Sequence, residues 1–273
     1  MSVYSNPNPA PARALKEPQS MDPVLTELID MSHYLGDPAR GYAILGEGNS
    51  SARIDENSFY VKASGTTMAD IDEHGFVKVS IPKVTSILDD PDAGDDDVSR
   101  VFKESLLEPG ETRRPSVEAM LHAILLQVPE FRFIGHTHPA YTNMVLCSSK
   151  AEEVATGRLF PDHIVSLGHK SVYVPYVDPG LVLAREVRKR FEAFVAEEGV
   201  LPKAIFMQNH GLITMGSSPK AVTSCTDMAE KASQVAVGAY AMGGPRYMAP
   251  HEVERIFTRP DEAYRLKSIA DTE

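Results

Sequence analysis

Two histidines stand two residues apart in the segment RFIGHTHPAYTNM, residues 132–144. The apolar residues before them predict a buried strand, and a proline ends the run. Successive side chains of a strand alternate between its faces, so His136 and His138 should point to one side and Thr137 to the other. Two imidazoles on one face can bind one metal ion, although an ordinary hydrogen-bonded pair would show the same spacing.

His210 is the best candidate for a third ligand. It lies in QNHGLI at the end of an apolar run, beside a glycine that permits unusual backbone angles. Three protein ligands and one open position are what a catalytic zinc ion requires. A simple turn would also explain the NHG sequence. A structural zinc site is disfavoured, because Cys147 and Cys225 are the only cysteines and show no paired spacing.

Glu118 is the candidate acid for proton transfer, and its place in the sequence allows two interpretations. It follows RPSV in the first turn of a predicted helix that Ser116 could cap. In one interpretation the carboxylate only stabilises the helix N-terminus through the macrodipole. In the other it is a general base beside the metal, with its pKa tuned by a dry pocket. His122 lies four residues on, and we expect it to pack against or support the site rather than to bind metal.

Two polar turns that contain glycine could hold an anion. GEGNSS (46–51) and KASGTT (62–67) each follow or end an apolar run. Free backbone amides of small residues can surround a phosphate, although either segment could be only a turn. Neither fits a Walker loop or a dinucleotide-binding fingerprint.

Bulk composition narrows the classes of function. The chain has 273 residues, of which 42% are apolar and 24% charged, with a net charge of −11. This balance is typical of a soluble globular protein and disfavours nucleic acid as a partner, since no basic face is visible. No apolar run reaches the roughly 18 to 20 residues of a membrane span. The low cysteine content and the absence of a signal-peptide pattern predict a cytoplasmic protein.

Helices and strands are mixed along the chain without strict alternation. We predict helices over 21–36, 114–129, 178–199 and 218–244 and strands over 51–54, 58–63, 76–80, 132–138 and 171–177, followed by a hairpin over 204–216. Residues 89–99 should form an acidic, turn-rich surface excursion. This pattern favours one α+β or three-layer α/β domain over 21–273, preceded by a flexible, proline-rich arm over 1–20.

The ordered motifs GEGNSSARI, VKASGTTM, RPSVEAMLH, GHTHP, VPYVDPG and QNHGLITMG resemble the class II aldolase/adducin family over roughly residues 25–245. Six motifs in the family's order are far more specific than any one of them. The resemblance implies a three-layer α/β/α fold, with a mixed central sheet and helices on both faces. It also implies a homotetramer with active sites at subunit borders.

The resemblance assigns roles to individual residues. It implies that a divalent metal, zinc or alternatively manganese, is bound by His136, His138 and His210. It makes Glu118 the acid/base and Tyr176 an assistant in proton transfer across a subunit boundary. It further implies that the substrate phosphate is held by Gly48, Asn49, Ser64, Gly65 and Ser116.

The implied function is a metal-dependent aldolase of carbohydrate metabolism that cleaves a ketose phosphate or a related hydroxy-keto compound. A decarboxylase of a keto acid or aromatic acid, a 4-epimerase and a non-catalytic adducin-like interaction module are the alternatives. Val117 stands where phosphate-binding members often carry a second serine, so the substrate could be phosphorylated or carboxylated. The segment GRLFPDHIVSLGHKS (157–171) marks a branch of the family.

Overall fold

A seven-stranded mixed sheet forms the centre of the computed structural model, which describes residues 21–261. The strands are β1 (Asn49–Arg53), β2 (Ser58–Lys62), β3 (Phe76–Ser80), β4 (Phe133–Thr137), β5 (Val172–Val174), β6 (Ala204–Met207) and β7 (Gly211–Gly216). Their order across the sheet is β3-β2-β1-β4-β7-β6-β5. Neighbouring strands are antiparallel except β5 and β6, which run parallel.

Ten α-helices accompany the sheet within the described part of the chain. They are α1 (Pro23–Gly36), α2 (Ile81–Thr85), α3 (Asp95–Ser105), α4 (Ala119–Leu126), α5 (Ala140–Leu146), α6 (Ala151–Thr156), α7 (Pro161–Leu167), α8 (Leu181–Glu198), α9 (Pro219–Ala241) and α10 (Pro250–Phe257).

The helices cover both faces of the sheet. On one face α2, α3, α4 and α8 enclose the largest apolar cluster, to which β4 contributes Ile134. The preceding residue of β4, Phe133, points to the opposite face, where it packs with Leu28 of α1 and Val222 of α9. Helices α5, α6 and α7 lie on that second face beside α9. The predicted three-layer α/β/α architecture with a mixed sheet is confirmed.

Several predicted elements form where their local signals placed them. Helix α1 begins after Asp22, whose Oδ1 accepts a hydrogen bond of 2.9 Å from the Val24 amide. Helix α9 begins after Ser218, whose hydroxyl accepts from the Ala221 amide at 3.2 Å. The predicted hairpin is present as β6 and β7, joined by a tight turn. A side chain that caps the first turn thus marked the start of both helices correctly.

Ser116 was the predicted cap of the helix after RPSV, which would start that helix at Val117, two residues too early. Helix α4 begins at Ala119, so Glu118 is its N-cap residue and does not lie in the first turn. The Glu118 side chain accepts no hydrogen bond from the helix amides. Ser116 does not cap the helix, but its hydroxyl accepts from the Glu118 amide at 3.4 Å. The carboxylate is therefore not used for capping.

Two other boundaries also need correction. The helix predicted to open at Asp178-Pro179 begins at Leu181, because Gly180 adopts a φ of 100° that the helix cannot include. The acidic segment 89–99 is not turn throughout, since α3 begins at Asp95 inside it. Aspartates in the first turn favour a helix by complementing its positive end.

Residues 1–20, for which a flexible arm is predicted, lie outside the described residues. Between residues 21 and 261, each helix is either too short or too polar to traverse a bilayer.

Candidate metal and acid–base site

The candidate site lies at the ends of three central strands, where β1 and β7 begin and β4 ends. Asn49, the first residue of β1, is the strand partner of His136 near the end of β4. On the other side of β4, Thr137 pairs with Leu212 at the start of β7. Antiparallel neighbours bring the start of one strand beside the end of the next, so residues distant in sequence meet here. His138 follows β4 directly, and His210 precedes β7.

The three predicted ligand histidines converge at these strand ends. One ring nitrogen from each of His136, His138 and His210 lies within 4.8 Å of the others. Their ring centroids are 4.8, 5.0 and 5.4 Å apart. His136 is 1% exposed, and the other two are partly buried. Within residues 21–261, no other group of three or more histidines, cysteines or acids has the spacing of a metal site.

Hydrogen bonds orient the rings toward a common point. Nδ1 of His136 lies 3.0 Å from the carbonyl oxygen of Leu212, which can only accept, so Nδ1 carries the proton and Nε2 is left as a ligand atom. That Nε2 faces Nε2 of His138 at 3.0 Å. Nδ1 of His210 is buried and has no hydrogen-bond partner. Glu47 approaches the other side of His138, with 3.8 Å between its Oε1 and Nδ1.

Two glycines allow this close approach. A Cβ at Gly211 would lie 2.5 Å from a ring carbon of His138 and 2.6 Å from the Thr137 carbonyl oxygen. Gly48 has a φ of +65°, and a Cβ there would lie 2.6 Å from the His136 carbonyl oxygen. Any larger residue at either position would displace a histidine. These glycines therefore support the site sterically.

Glu118 contacts two of the three histidines. Its Oε2 lies 3.1 Å from Nε2 of His136, and its Oε1 lies 2.9 Å from Nε2 of His210. The residue is 6% exposed. A carboxylate this close to a cluster of imidazoles can share a metal site or exchange protons within it. The Glu118 carboxylate contacts histidines and Asn49, whereas an acid that only caps a helix would contact the helix amides.

A buried chain of hydrogen bonds holds Glu118 from behind. The Asn49 side-chain amide donates to Oε2 of Glu118 at 2.7 Å. Nε2 of His122 lies 2.5 Å from the amide oxygen of Asn49, and its Nδ1 lies 2.6 Å from the Ser51 hydroxyl. Because the Asn49 oxygen accepts, His122 donates through Nε2 and accepts from Ser51 through Nδ1. The predicted supporting role of His122, rather than a ligand role, agrees with these contacts.

Burial dominates the electrostatics of the site. It lowers the pKa of His122 to about 4 and that of His136 to about 3, and the negative charge of Glu118 opposes both shifts. Burial also lowers the pKa of His138. Uncharged imidazoles are the form that binds metal. For Glu118, burial raises the pKa, but His136, His210 and the Asn49 amide outweigh burial and hold that pKa below its ordinary value.

The proposed phosphate-binding segments also meet at this end of the sheet. Beyond β2 the chain continues to pair with the segment before Glu118, as the Ser64 amide donates to the Arg114 carbonyl at 2.8 Å and the Ser116 amide donates to the Lys62 carbonyl at 3.0 Å. Ser64 and Gly65 are exposed, whereas Ser116 is buried. A Cβ at Gly65 would meet no atom within 4 Å, so space is open beside this turn.

Tyr176 is not brought to the histidines by its own chain. It lies just beyond β5 with 55% of its surface exposed, and its backbone amide is 3.4 Å from the Gln208 side-chain oxygen. Its role across a subunit boundary stays a prediction.

Sequence reasoning missed two charged residues of the site. Lys62 is 3% exposed and Glu47 contacts His138. A lysine at the end of an otherwise apolar strand was the available signal for the first. For Glu47, the only signal in the sequence was the Gly48-Asn49 dipeptide that follows it.

The chain is similar to a known protein family and to individual proteins. A family model described as Class II Aldolase and Adducin N-terminal domain matches residues 26–237. An uncharacterized oxidoreductase, YuxG of Bacillus subtilis, is 26% identical over 218 residues, which are 76% of this chain but 28% of that protein. This chain therefore spans little more than a quarter of that relative.

Other relatives match over most of their length. The 3-oxo-tetronate 4-phosphate decarboxylase of Haemophilus influenzae is 26% identical over 81% of this chain and 90% of its own. The methylthioribulose-1-phosphate dehydratase of Microcystis aeruginosa is 24% identical over 73% of this chain and 89% of its own. Among solved structures, an L-fuculose 1-phosphate aldolase has a TM-score of 0.64 at 19% identity, covering 87% of this chain and 95% of that one. That structural likeness shows the fold.

Proposed function

The chain belongs to the class II aldolase and adducin family, and we propose that it is a metal-dependent carbon–carbon lyase acting on a ketose phosphate or a related hydroxy-keto compound. The observation that carries the proposal is the convergence of three histidines and the Glu118 carboxylate at the ends of three central strands. Members of the family act on small phosphorylated substrates and include an aldolase, a decarboxylase and a dehydratase.

The residues present fit a divalent metal ion. His136, His138 and His210 would hold it, because three uncharged imidazoles form a suitable donor set for zinc and leave a position open. Nε2 of His136 faces Nε2 of His138, and Nε2 of His136 and Nε2 of His210 both lie beside the Glu118 carboxylate, so the three rings turn nitrogens toward the same place. Zinc is our first choice and manganese the second. When bound, the metal would supply Lewis-acid stabilisation of negative charge that develops on a substrate carbonyl oxygen.

Glu118 would hold and move the proton at the substrate carbon. Its carboxylate is ionised at neutral pH, since its pKa lies below the ordinary value. The Asn49 amide fixes Oε2, and His122 fixes Asn49, so the carboxylate keeps one orientation. A general base that buried hydrogen bonds already hold in one orientation loses little orientational entropy when it transfers a proton.

Tyr176 would assist proton transfer in a neighbouring subunit's site, and the assembly would be a homotetramer. The large exposed fraction of Tyr176 is compatible with a place at a subunit border. Sedimentation should give a tetramer, and Tyr176→Phe should lower turnover while the tetramer persists. A fully active monomer would contradict both parts of this proposal.

A decarboxylase that uses the same site is the second candidate. It is favoured by the relative named a 3-oxo-tetronate 4-phosphate decarboxylase, of which this chain covers 90%. Loss of carbon dioxide from a keto acid also develops negative charge on a carbonyl oxygen. The same histidines and Glu118 would therefore serve both reactions.

A substrate screen tests the proposal. The metal-replete protein is incubated with phosphorylated ketoses and with keto acids, while aldehyde and carbon dioxide are assayed separately. Glu118→Gln is the blank, and Glu104→Gln, at an exposed position of α3, is the matched control. Aldehyde release that is absent from the blank supports the aldolase, and carbon dioxide release supports the decarboxylase. If neither aldehyde nor carbon dioxide forms from any of the substrates, both the aldolase and the decarboxylase proposals are contradicted.

A further inference from the structure

His138 lies outside the strands, between the end of β4 and the start of α5. Its backbone amide donates to the Tyr42 carbonyl oxygen at 2.7 Å. Helix α5 begins two residues after His138, and its far end reaches the turn that carries His210. There the Leu146 carbonyl oxygen accepts from the Asn209 amide at 3.2 Å. The placement of α5 therefore helps to fix the backbone at two of the three histidines.

A side chain from another helix holds the first turn of α5. The N-cap residue of α5 is Pro139, whose side chain cannot accept a hydrogen bond. Glu230 of α9 supplies the acceptors, since its Oε1 accepts from the Tyr141 amide at 2.9 Å and its Oε2 accepts from the amide and the hydroxyl of Thr142 at 2.9 and 3.0 Å. These are the amides that an N-cap side chain usually binds. Glu230 thus ties the start of α5 to α9.

A second carboxylate of α9 holds the segment that binds the His138 amide. Asp227 lies one helical turn before Glu230, so the two side chains project from the same face of α9. Its Oδ1 accepts from the Tyr42 hydroxyl at 2.8 Å, and its Oδ2 accepts from the Tyr34 hydroxyl at 2.6 Å. The segment that follows His138 and the segment that hydrogen-bonds to its amide are therefore both fastened to α9.

We propose that Glu230, assisted by Asp227, is a positioning residue that holds His138 in the orientation in which it can bind a metal ion. The inference rests on the proposed function, because it concerns the same metal site. A cap from within α5 would satisfy the same amides, whereas an acceptor from α9 also fixes where α5 lies. A ligand that is already oriented loses less conformational freedom when the metal binds. Residues that orient metal ligands contribute about 10- to 100-fold in metal affinity.

Metal titration of the full chain tests this inference. Zinc affinity is measured by competition with a chromogenic chelator for wild type, Glu230→Gln and Asp227→Asn. Glutamine keeps the length of the side chain, but its amide nitrogen cannot accept, so at least one hydrogen bond from α5 is lost. The matched control is Glu198→Gln, because Glu198 also contacts two side chains, those of His169 and Lys170, but lies at the end of α8.

Glu230→Gln should bind zinc about tenfold more weakly than wild type, the lower end of the range for residues that orient a metal ligand. Asp227→Asn should bind zinc about threefold more weakly, because hydrogen bonds at a side chain that is 40% exposed contribute less. Glu198→Gln should bind zinc as wild type does. The visible spectrum of bound cobalt(II), which reports the arrangement of the ligands, should change in Glu230→Gln and stay unchanged in the control.

Hydrogen exchange of the metal-free chain separates local orientation from global folding. In Glu230→Gln the amides of His138, Tyr141 and Thr142 should exchange faster than in wild type, whereas amides of the central strands should keep their protection. Wild-type zinc affinity and an unchanged cobalt spectrum in folded Glu230→Gln would overturn the inference and leave Glu230 as a cap of α5. If Glu230→Gln does not fold, wild-type zinc affinity in Asp227→Asn would overturn it.

The same titration distinguishes this inference from the proposed reaction. A wild-type chain that binds no divalent metal would contradict the metal site and the positioning role together. If the chain binds zinc and Glu230→Gln weakens that binding, but no lyase product forms, the proposed reaction alone fails.

Discussion

Two regions of the molecule bury polar side-chain atoms, but they differ in how completely those atoms are hydrogen-bonded. Arg158, between α6 and α7, is 2% exposed, and each of its side-chain nitrogens donates to a carbonyl or hydroxyl oxygen. Its partners include Gly168 at 2.7 Å, Gly157 at 2.8 Å and Ser171 at 2.8 Å. At the candidate site, by contrast, His210 keeps a buried Nδ1 that has no hydrogen-bond partner.

The difference indicates what each region is for. A buried group with all its hydrogen bonds made stabilises the fold and needs nothing further. A buried group with free capacity lowers stability unless a ligand completes it. The Arg158 region is therefore structural, whereas the three histidines have the spacing of a group that could hold a metal ion. Mutations in the two regions should consequently have opposite signatures in activity and stability.

The largest effect is expected for Glu118→Gln. The amide keeps the shape of the side chain but cannot take or give the proton, so turnover should fall about 10²- to 10⁴-fold. Steady-state kinetics with metal analysis checks this once a substrate is found. Metal content and folding should stay near wild type.

If Glu118 only complemented the helix macrodipole, the same variant would lose about 0.3 to 1 kcal/mol of stability and little activity. A folded, metal-replete Glu118→Gln protein within tenfold of wild-type turnover would remove Glu118 from the mechanism. Glu104→Gln, at an exposed position, controls for the change in net charge.

Arg158→Met should show the opposite signature. It leaves several buried carbonyl oxygens and the Ser171 hydroxyl without their donor, which should reduce the free energy of unfolding by about 3 kcal/mol. Metal content per folded chain should not change. Denaturant unfolding measures the loss. If Arg158→Met is as stable as wild type, the hydrogen bonds of Arg158 do not stabilise the fold, and the contrast between the two regions is wrong.

His122→Gln should reduce the loss of unfolding free energy that wild type shows as the pH falls below 6.5. Burial lowers the pKa of His122 from 6.5 to about 4, so between these values the unfolded chain binds a proton that the folded chain does not. Wild-type stability should therefore be complete above pH 6.5 and fall toward pH 4, His122 accounting for up to about 3 kcal/mol.

Glutamine cannot titrate, so the difference in unfolding free energy between the variant and wild type should change across that window. Taking the difference cancels the contributions of other buried histidines. A difference that is constant from pH 7 to pH 4 would show that His122 is not held uncharged in the folded chain.

Local signals in the sequence predicted much of the fold. Apolar runs, caps and turns identified most strands and the long helices, because these depend on neighbouring residues. The short helices α2, α5, α6, α7 and α10 were not predicted, since five to eight residues carry too little periodicity. The start of α4 was misplaced because Ser116 and Glu118 both look like helix-start residues, whereas the fold turns Glu118 toward the histidines.

The candidate site was predictable only in part. The spacing of His136 and His138 suggested a shared face, but the approach of His210 and Glu118 depends on strand order, which no local pattern encodes. The contacts from His122 through Asn49 to Glu118 join residues 69 and 73 positions apart. Lys62 escaped notice because burial of a lysine follows from the packed tertiary structure.

Metal content tests the central claim most directly. The purified wild-type chain, loaded with zinc or manganese and then dialysed, is compared by elemental analysis with the variant in which His136, His138 and His210 are all alanine. Arg158→Met serves as the control for altered stability. Wild type and the control should each retain about one divalent ion per chain, and the triple variant should retain none. Stoichiometric metal in a folded triple variant would place the ion elsewhere and contradict the account.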